Sequence, residues 1–441
     1  MTDSTVAVTA TDVIERGVQR TVLPNGLTVL SEHMPGVRSV SFGAWVCSAS
    51  LHEPREKMGV SHLLEHMVFK GTERRSAREL ALALEALGGS LDAYTGREHT
   101  SFQARVLDEH LPQAADVLFD LMFRPVLRDA DLQLERKVVL EEIAMVDDTP
   151  DDVVFELHNA LLWGPHPFGY SILGTADTVS ALSTDDLRAL HARAYRPSQV
   201  VVAAAGNVVH EHLLDVMATA GWNDLPGDGG VKPGVPAART MAPEDHTTQR
   251  DTQQMHLVFG NAVVPYGDPR RHALMLVNSL FGGGMSSRLF QRVREELGLA
   301  YSVQSFQSFH AMAGAQGIYV GCAPERADEA VSAVLSELSA LAVDGIPDEE
   351  LLMGKQQLKG QITLSMESVG ARMYRAAAVE LYDEPYRELD EVLARVDAIT
   401  TADVRDVCRE FYKPEAQTIL RLGPQAAASR RKKTERKRPA G

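Results

Sequence analysis

The sequence predicts an α+β protein made of two similar halves. Three observations predict it. At 441 residues the chain is too long for a single ordinary hydrophobic core. Residues 224–250, opening Asp224-Leu225-Pro226-Gly227-Asp228-Gly229-Gly230, are rich in Pro, Gly, Asp and Thr and read as a linker between flanks of roughly 200 residues each. Each flank mixes strand-like runs with pairs of helical segments, the pattern of antiparallel-rich α+β domains. The expected boundaries are 12–223 and 251–424 for the two domains and 425–441 for a terminal tail.

In the first half, Ser39-Val40-Ser41-Phe42-Gly43-Ala44-Trp45-Val46 alternates and reads as a strand. An apolar helix follows around 59–69. The Ala- and Leu-rich stretch 77–87 reads as a helix, 90–95 and 100–106 as strands, and 111–122 as a helix. Residues 132–146 read as one long helix. In the second half, 254–260 reads as a strand, 270–280 and 287–296 as helices, 300–305 and 314–322 as strands, and 327–341 as a helix. Gly298-Leu299-Ala300-Tyr301-Ser302-Val303 echoes Ser90-Leu91-Asp92-Ala93-Tyr94-Thr95 in the same place of the plan.

Composition excludes several classes. Hydrophobic content of 44% and charged content of 24% are those of a soluble globular protein. No apolar run reaches the roughly 18 residues needed to span a bilayer. Residues 1–17 are polar and acidic and read as neither a secretory signal nor a transit peptide. Cys47, Cys322 and Cys408 are widely spaced, which suggests buried thiols in a reducing compartment, with the cytoplasm as the expected location. Net charge is −16, but residues 430–438 carry +6, so the rest carries −22. An acidic body disfavours nucleic acid and favours basic substrates. The basic tail reads as disordered. Anionic lipid, ribosomal RNA, the chain's own acidic surface and plain solvent are its open partners.

The most specific motif is His62-Leu63-Leu64-Glu65-His66. On a helix, His62 and His66 project from one face, one turn apart, as two imidazoles must to grip one Zn²⁺ at about 2.0–2.1 Å. Glu65 borders that face, where a carboxylate takes a proton from water whose pKa the metal lowers to about 7. The order His-x-x-Glu-His is the inverse of the commoner His-Glu-x-x-His. Val60, Leu63, Leu64, Met67, Val68 and Phe69 surround the trio, and buried His and Glu need partners. A third ligand is required. The 132–146 helix offers Glu135, Glu141 and Glu142, with Glu135 and Glu142 two turns apart on one face. Helix physics alone does not choose among them.

The His-x-x-Glu-His run and the glutamates of the 132–146 helix resemble the pitrilysin family of zinc peptidases, and most of all the branch of mitochondrial processing peptidase and its bacterial relatives. There the His-x-x-Glu-His run is followed after about 75 residues by a Glu in a context like Val139-Leu140-Glu141-Glu142-Ile143. The resemblance runs from about Arg20 to about Leu422. It implies His62, His66 and Glu142 as ligands of one zinc, Glu65 as the base, and Glu135 as an acid that orients a ligand. It implies two homologous domains closing as a clam around a chamber, only the first holding zinc. It implies that Ser90–Thr95 is an edge strand that pairs with an extended peptide through main-chain bonds, with Leu91, Asp92, Ala93, Tyr94 and Thr95 as substrate-binding residues. The family usually has Asn where this chain has Asp92, which leaves the backbone pairing intact. Arg294 and Tyr301 match a pair that holds the substrate carbonyl and its oxyanion.

Gly282, Gly283 and Gly284 match a glycine-rich loop of the non-catalytic processing subunit. That loop lacks the Gly-Lys-Ser/Thr ending of a nucleotide loop. Its presence beside the zinc motif on one chain points to a self-sufficient or homodimeric enzyme, with a heterodimer as the alternative. Asp152 and Glu156 match positions that read an arginine near the cut, though helix-start acids look the same. The expected function is a zinc endopeptidase. The rival is a non-catalytic core subunit or peptide-binding protein of the same fold.

Overall fold

The computed structural model describes residues 11–424 apart from Arg16, Asp228, Val231, Lys232, Pro233 and Pro236. The basic tail at 425–441 lies outside the described residues. Two compact units form. In the first, β1 (Thr11–Glu15), β2 (Val18–Val22), β3 (Thr28–His33), β4 (Ser39–Val46), β5 (Ser90–Thr95), β6 (Thr100–Leu107) and β7 (Val200–Gly206) make one sheet in the order β1-β2-β3-β7-β4-β6-β5. Only β3 and β7 run parallel. In the second, β8 (Asp245–Gln249), β9 (Met255–Val263), β10 (Ala300–Phe309), β11 (Gly314–Cys322) and β12 (Thr418–Gly423) make a sheet in the order β10-β11-β9-β12-β8, with only β12 and β8 parallel.

These two sheets share one plan. The run β3-β7-β4-β6-β5 and the run β8-β12-β9-β11-β10 match strand for strand, each with one parallel pair followed by three antiparallel pairs. Helices α1 (Val60–Val68) and α2 (Ala77–Glu85) stand between β4 and β5, and α3 (Leu111–Phe123) follows β6. A helix at Arg271–Gly282 and a wide-pitched π-helical stretch at Phe290–Glu296 stand between β9 and β10, and a helix at Ala327–Asp344 follows β11. The architecture is therefore α+β and two-domain.

Three features differ from the linear expectation. Residues 245–249 fall inside the expected linker but form β8, whose polar, largely exposed Asp-His-Thr-Thr-Gln gives no alternation to read and is held by main-chain pairing with β12. The expected helix at 287–296 is wound with π pitch, its end marked by Leu297 N–H donating five residues back to Arg292 O at 3.2 Å. The units also do not follow the 12–223 and 251–424 boundaries: residues 145–169 belong to the second and 362–392 to the first.

Each sheet thus takes a covering helix from the other half of the chain. Met373, Ala376 and Ala377 of the helix Val369–Leu381 pack on Leu30, Trp45, Val201, Ala203 and Ala205 of the first sheet. After α4 (Asp129–Asp148), helix α5 (Pro150–Trp163) packs Val153 and Val154 on Val258, Tyr319, Leu420 and Leu422 of the second.

On the opposite face of the first sheet, α1 buries Leu63, Leu64, Met67 and Val68 against a core that includes Phe42, Val46 and Phe102. Each such side chain contributes about 1.5–3 kcal/mol by leaving water. That anchorage fixes the helix carrying His62 and His66. No disulfide joins the described cysteines, and Cys322 and Cys408 are buried. No single helix among the described residues is long and apolar enough to cross a membrane.

Candidate metal centre

The start of α1 is held by a distant acid. Gly59, at φ +88°, precedes the helix, and a Cβ there would collide with the Leu173 carbonyl. The Glu53 carboxylate accepts from Gly59 N–H at 2.8 Å and from Ser61 N–H at 2.7 Å, satisfying donors that the helix leaves unpaired. Burial pushes the Glu53 carboxyl up to about 7, against the pull of these hydrogen bonds. A raised pKa in the folded state means that the native protein binds the proton more tightly. The associated stability is therefore complete below the ordinary value of 4.5 and is lost as pH rises towards 7. We expect the parent to lose, relative to Glu53→Gln, on the order of 3 kcal/mol of unfolding free energy across that window. Chemical denaturation at several pH values checks this, and parallel pH profiles for the two proteins would refute it.

Further along α1 the two imidazoles meet edge to face at a centroid separation of 4.7 Å. Across from them, Glu142 Oε2 on α4 lies 3.6 Å from His62 Nε2 and 3.7 Å from His66 Nε2. The three ligand atoms lie within 4.8 Å of one another. A tetrahedral ion with bonds of about 2.0–2.1 Å sets ligand atoms about 3.3–3.4 Å apart, so this spacing is close to that of a shared metal and too long for hydrogen bonds. Glu142 Oε2 is buried with no hydrogen-bond partner, a costly state for a carboxylate unless a cation faces it. The residues present therefore fit zinc. Burial, reinforced by neighbouring His66, lowers the His62 pKa to about 4, which keeps the imidazole neutral as a ligand must be.

Glu135, buried on the same α4 face, lies 3.3 Å from His66 Nδ1 and 2.6 Å from Lys70 Nζ. A donated Nδ1–H aims the His66 Nε2 lone pair inward. Glu141, the rival third ligand, is exposed. Glu65 is half-buried, and the Thr95 hydroxyl donates to its Oε2 at 2.5 Å. Burial raises the Glu65 pKa, while the Thr95 hydroxyl pulls it back.

Strand β5 is an edge of its sheet. Gly96 N–H donates to His99 O at 3.0 Å across the turn into β6, which makes the even-numbered residues of β5 the ones bonded to β6. Leu91, Ala93 and Thr95 then turn their main-chain groups outward. Their side chains are sheltered, whereas those of Asp92 and Tyr94 are exposed. The Thr95 side chain, to which the sequence assigns no contact, commits its hydroxyl to Glu65.

The remaining candidates lie in the second unit. The Arg294 guanidinium sits 4.6 Å over the Tyr301 ring and 4.7 Å over Phe290, and its Nη1 donates to Tyr301 O at 3.0 Å. Tyr301 is 75% exposed. Gly282 ends the helix Arg271–Gly282, where a Cβ would strike Ser305 of β10, and a Cβ at Gly283 would strike Ser279, so both are demanded by packing. Gly284 has open space around it. Asp152 is exposed in the first turn of α5, and Glu156 lies one turn on, along the same face.

Sequence reading missed Glu53, Lys70 and the bond from the Thr95 hydroxyl to Glu65. Lys70 lies in the turn just past the end of α1, beyond the reach of helical spacing. Glu53 carries no local signal, since it caps a helix from six and eight residues away.

A sheet-backed helix with two histidines and a glutamate, facing a second carboxylate beside a free sheet edge, is the outline of a zinc peptidase. Residues 28–176 match the family described as Insulinase (Peptidase family M16), and residues 181–358 match the Peptidase M16 inactive domain. The chain belongs to this M16, or pitrilysin, family of zinc peptidases, among bacterial proteins that resemble the mitochondrial processing peptidase β subunit. It is 39% identical over 404 residues to an uncharacterized zinc protease of Streptomyces coelicolor, covering 89% of this chain and 87% of the other. It is 37% identical to the uncharacterized zinc protease YmxG of Bacillus subtilis, covering 91% and 98%. Among solved structures, a protease from Helicobacter pylori shares the fold at a TM-score of 0.85 and 20% identity, covering 95% and 100%.

Proposed function

We propose that the chain is a zinc-dependent endopeptidase that cleaves peptides or presequence-like segments bound in extended form. The observation that carries this is the unpaired Glu142 Oε2 facing both imidazoles, with Glu65 beside His66 on the same helix. One zinc per chain, held by His62, His66 and Glu142, would supply the Lewis acidity that activates water and polarises the scissile carbonyl. Glu135 keeps His66 aimed. The peptide pairs with outward main-chain groups of β5 at Leu91 and Ala93, with Asp92 and Tyr94 exposed beside them. Glu65 accepts the proton of the attacking water and passes it to the leaving amine. Gly282, Gly283 and Gly284 lie on the substrate path. The enzyme works in the cytoplasm as a homodimer, a heterodimer being the alternative. The test is metal analysis with cleavage of a quenched peptide library. One zinc per chain with chelator-sensitive cleavage supports the reading, and stoichiometric zinc without cleavage of any peptide would favour a binding subunit.

Arg294 and Tyr301 are proposed to steady the substrate oxyanion. Tyr301→Phe and Arg294→Ala are each expected to lower kcat by on the order of 10²-fold with zinc content unchanged. Parent-like turnover in both removes the pair from the mechanism.

Asp152 and Glu156 are proposed to favour arginine near the cut. Attraction across water is screened over about 8–10 Å, so the preference should shrink as salt rises. Cleavage-site profiling of Asp152→Asn with Glu156→Gln is expected to show a flattened arginine preference and intact cleavage of neutral peptides. An unchanged profile would leave the two as helix-start charges.

A further inference from the structure

We propose that Thr95 is a positioning residue for proton transfer, holding Glu65 by its hydroxyl and so locking the base to the strand that carries the substrate. The inference rests on the peptidase reading above.

Glu65 leaves α1 on three rotatable bonds, and a proton acceptor must be fixed in direction to act. Thr95 supplies that fixing from another element. Its hydroxyl donates to Oε2 at 2.5 Å, a short charge-assisted bond. Thr95 is 4% exposed, so water does not compete. A β-branched residue keeps few rotamers, so the hydroxyl direction follows the strand backbone. That backbone is pinned beyond Thr95: Gly96 N–H donates to His99 O at 3.0 Å, Ser50 Oγ–H to Gly96 O at 3.2 Å, and Leu51 N–H to Arg97 O at 2.8 Å.

The register adds a second consequence. Leu91, Ala93 and Thr95 turn their main-chain groups to the free edge, and the Thr95 hydroxyl holds Glu65. An incoming strand therefore pairs along Leu91, Ala93 and Thr95, and the edge ends where β5 ends, at Thr95. Its next peptide unit arrives beside the base. One residue thus ends the docking edge and aims the proton acceptor.

The test uses the zinc-loaded full-length protein and its Thr95→Val and Thr95→Ser variants. Thr95→Val keeps shape and loses the donor. It should lose on the order of 10- to 100-fold in kcat, with KM within about threefold and zinc content unchanged. Thr95→Ser should recover most of that loss. Crystal structures of both should show the Glu65 carboxylate turned away in the Val variant and in place in the Ser variant. Parent-like kcat in Thr95→Val, a loss confined to KM, a Ser variant as poor as the Val variant, or an unmoved Glu65 carboxylate would each overturn the inference. Failure of the peptidase reading shows elsewhere, as a parent protein that cleaves nothing. The carboxylate position in the crystals still decides the role of Thr95 in that event.

Discussion

Glu65→Gln is expected to bind zinc like the parent and to turn over peptide slower by roughly 10²–10⁴-fold, the usual worth of a positioned acid or base. The amide fills the same space and can still accept from the Thr95 hydroxyl, which donates to Oε2 at 2.5 Å. It cannot take a proton from water. Because Glu65 lies outside the His62, His66 and Glu142 cluster, metal content should stay level. Metal analysis paired with a quenched-peptide assay reads both quantities on one sample. Purified variant with parent-like turnover would end the assignment of Glu65 as base. Variant protein that has lost its zinc would mean that Glu65 belongs to the ligand set.

Glu142→Ala and His66→Ala should lose metal and activity together. An ion held by three protein atoms has no spare ligand. If a full set contributes about 10–16 kcal/mol, one ligand of three accounts for roughly 3–5 kcal/mol, or about 10²–10⁴-fold in affinity. A graded series sharpens the test. Glu135 touches His66 Nδ1 and Lys70 Nζ and does not belong to the cluster, so Glu135→Gln should cost only about 10–100-fold in zinc affinity. Competition titrations with a chromophoric chelator would rank the variants. Equal losses for Glu135→Gln and Glu142→Ala would make Glu135 a ligand, and no loss for Glu142→Ala would pass its place to another group.

Much of this site was legible because its information is local. His62 and His66 are four apart on a helix whose apolar residues all find the core, and Glu135 and Glu142 are seven apart on α4. The choice of Glu142 over Glu141 needed the family likeness, since helical spacing leaves both near the face. Glu141 is exposed in the fold. Contacts between distant segments were not legible. Thr95 meets Glu65 across 30 residues, and Glu53 reaches Gly59 and Ser61 from before the helix. Periodicity says which face of a helix is apolar but not what covers it. For that reason linear boundaries put α5 and the helix Val369–Leu381 with their sequence neighbours, whereas each packs on the other half's sheet. Strand β8 escaped because its residues are polar and exposed on an edge. The shared strand order of the two sheets was only faintly visible, as the echo of residues 90–95 in 298–303.

The exchange of helices has a consequence for synthesis of the chain. The strands of the first sheet are all translated once Gly206 has left the ribosome, but the apolar residues Leu30, Trp45, Val201, Ala203 and Ala205 wait for Met373, Ala376 and Ala377. At about 5–20 residues per second, that interval lasts roughly 10–30 s. During it the nascent protein shows a bare hydrophobic sheet. The ligand-bearing unit therefore cannot finish folding ahead of the rest of the polypeptide, and a nascent chain halted near residue 360 should recruit chaperones that release only after the last helices emerge.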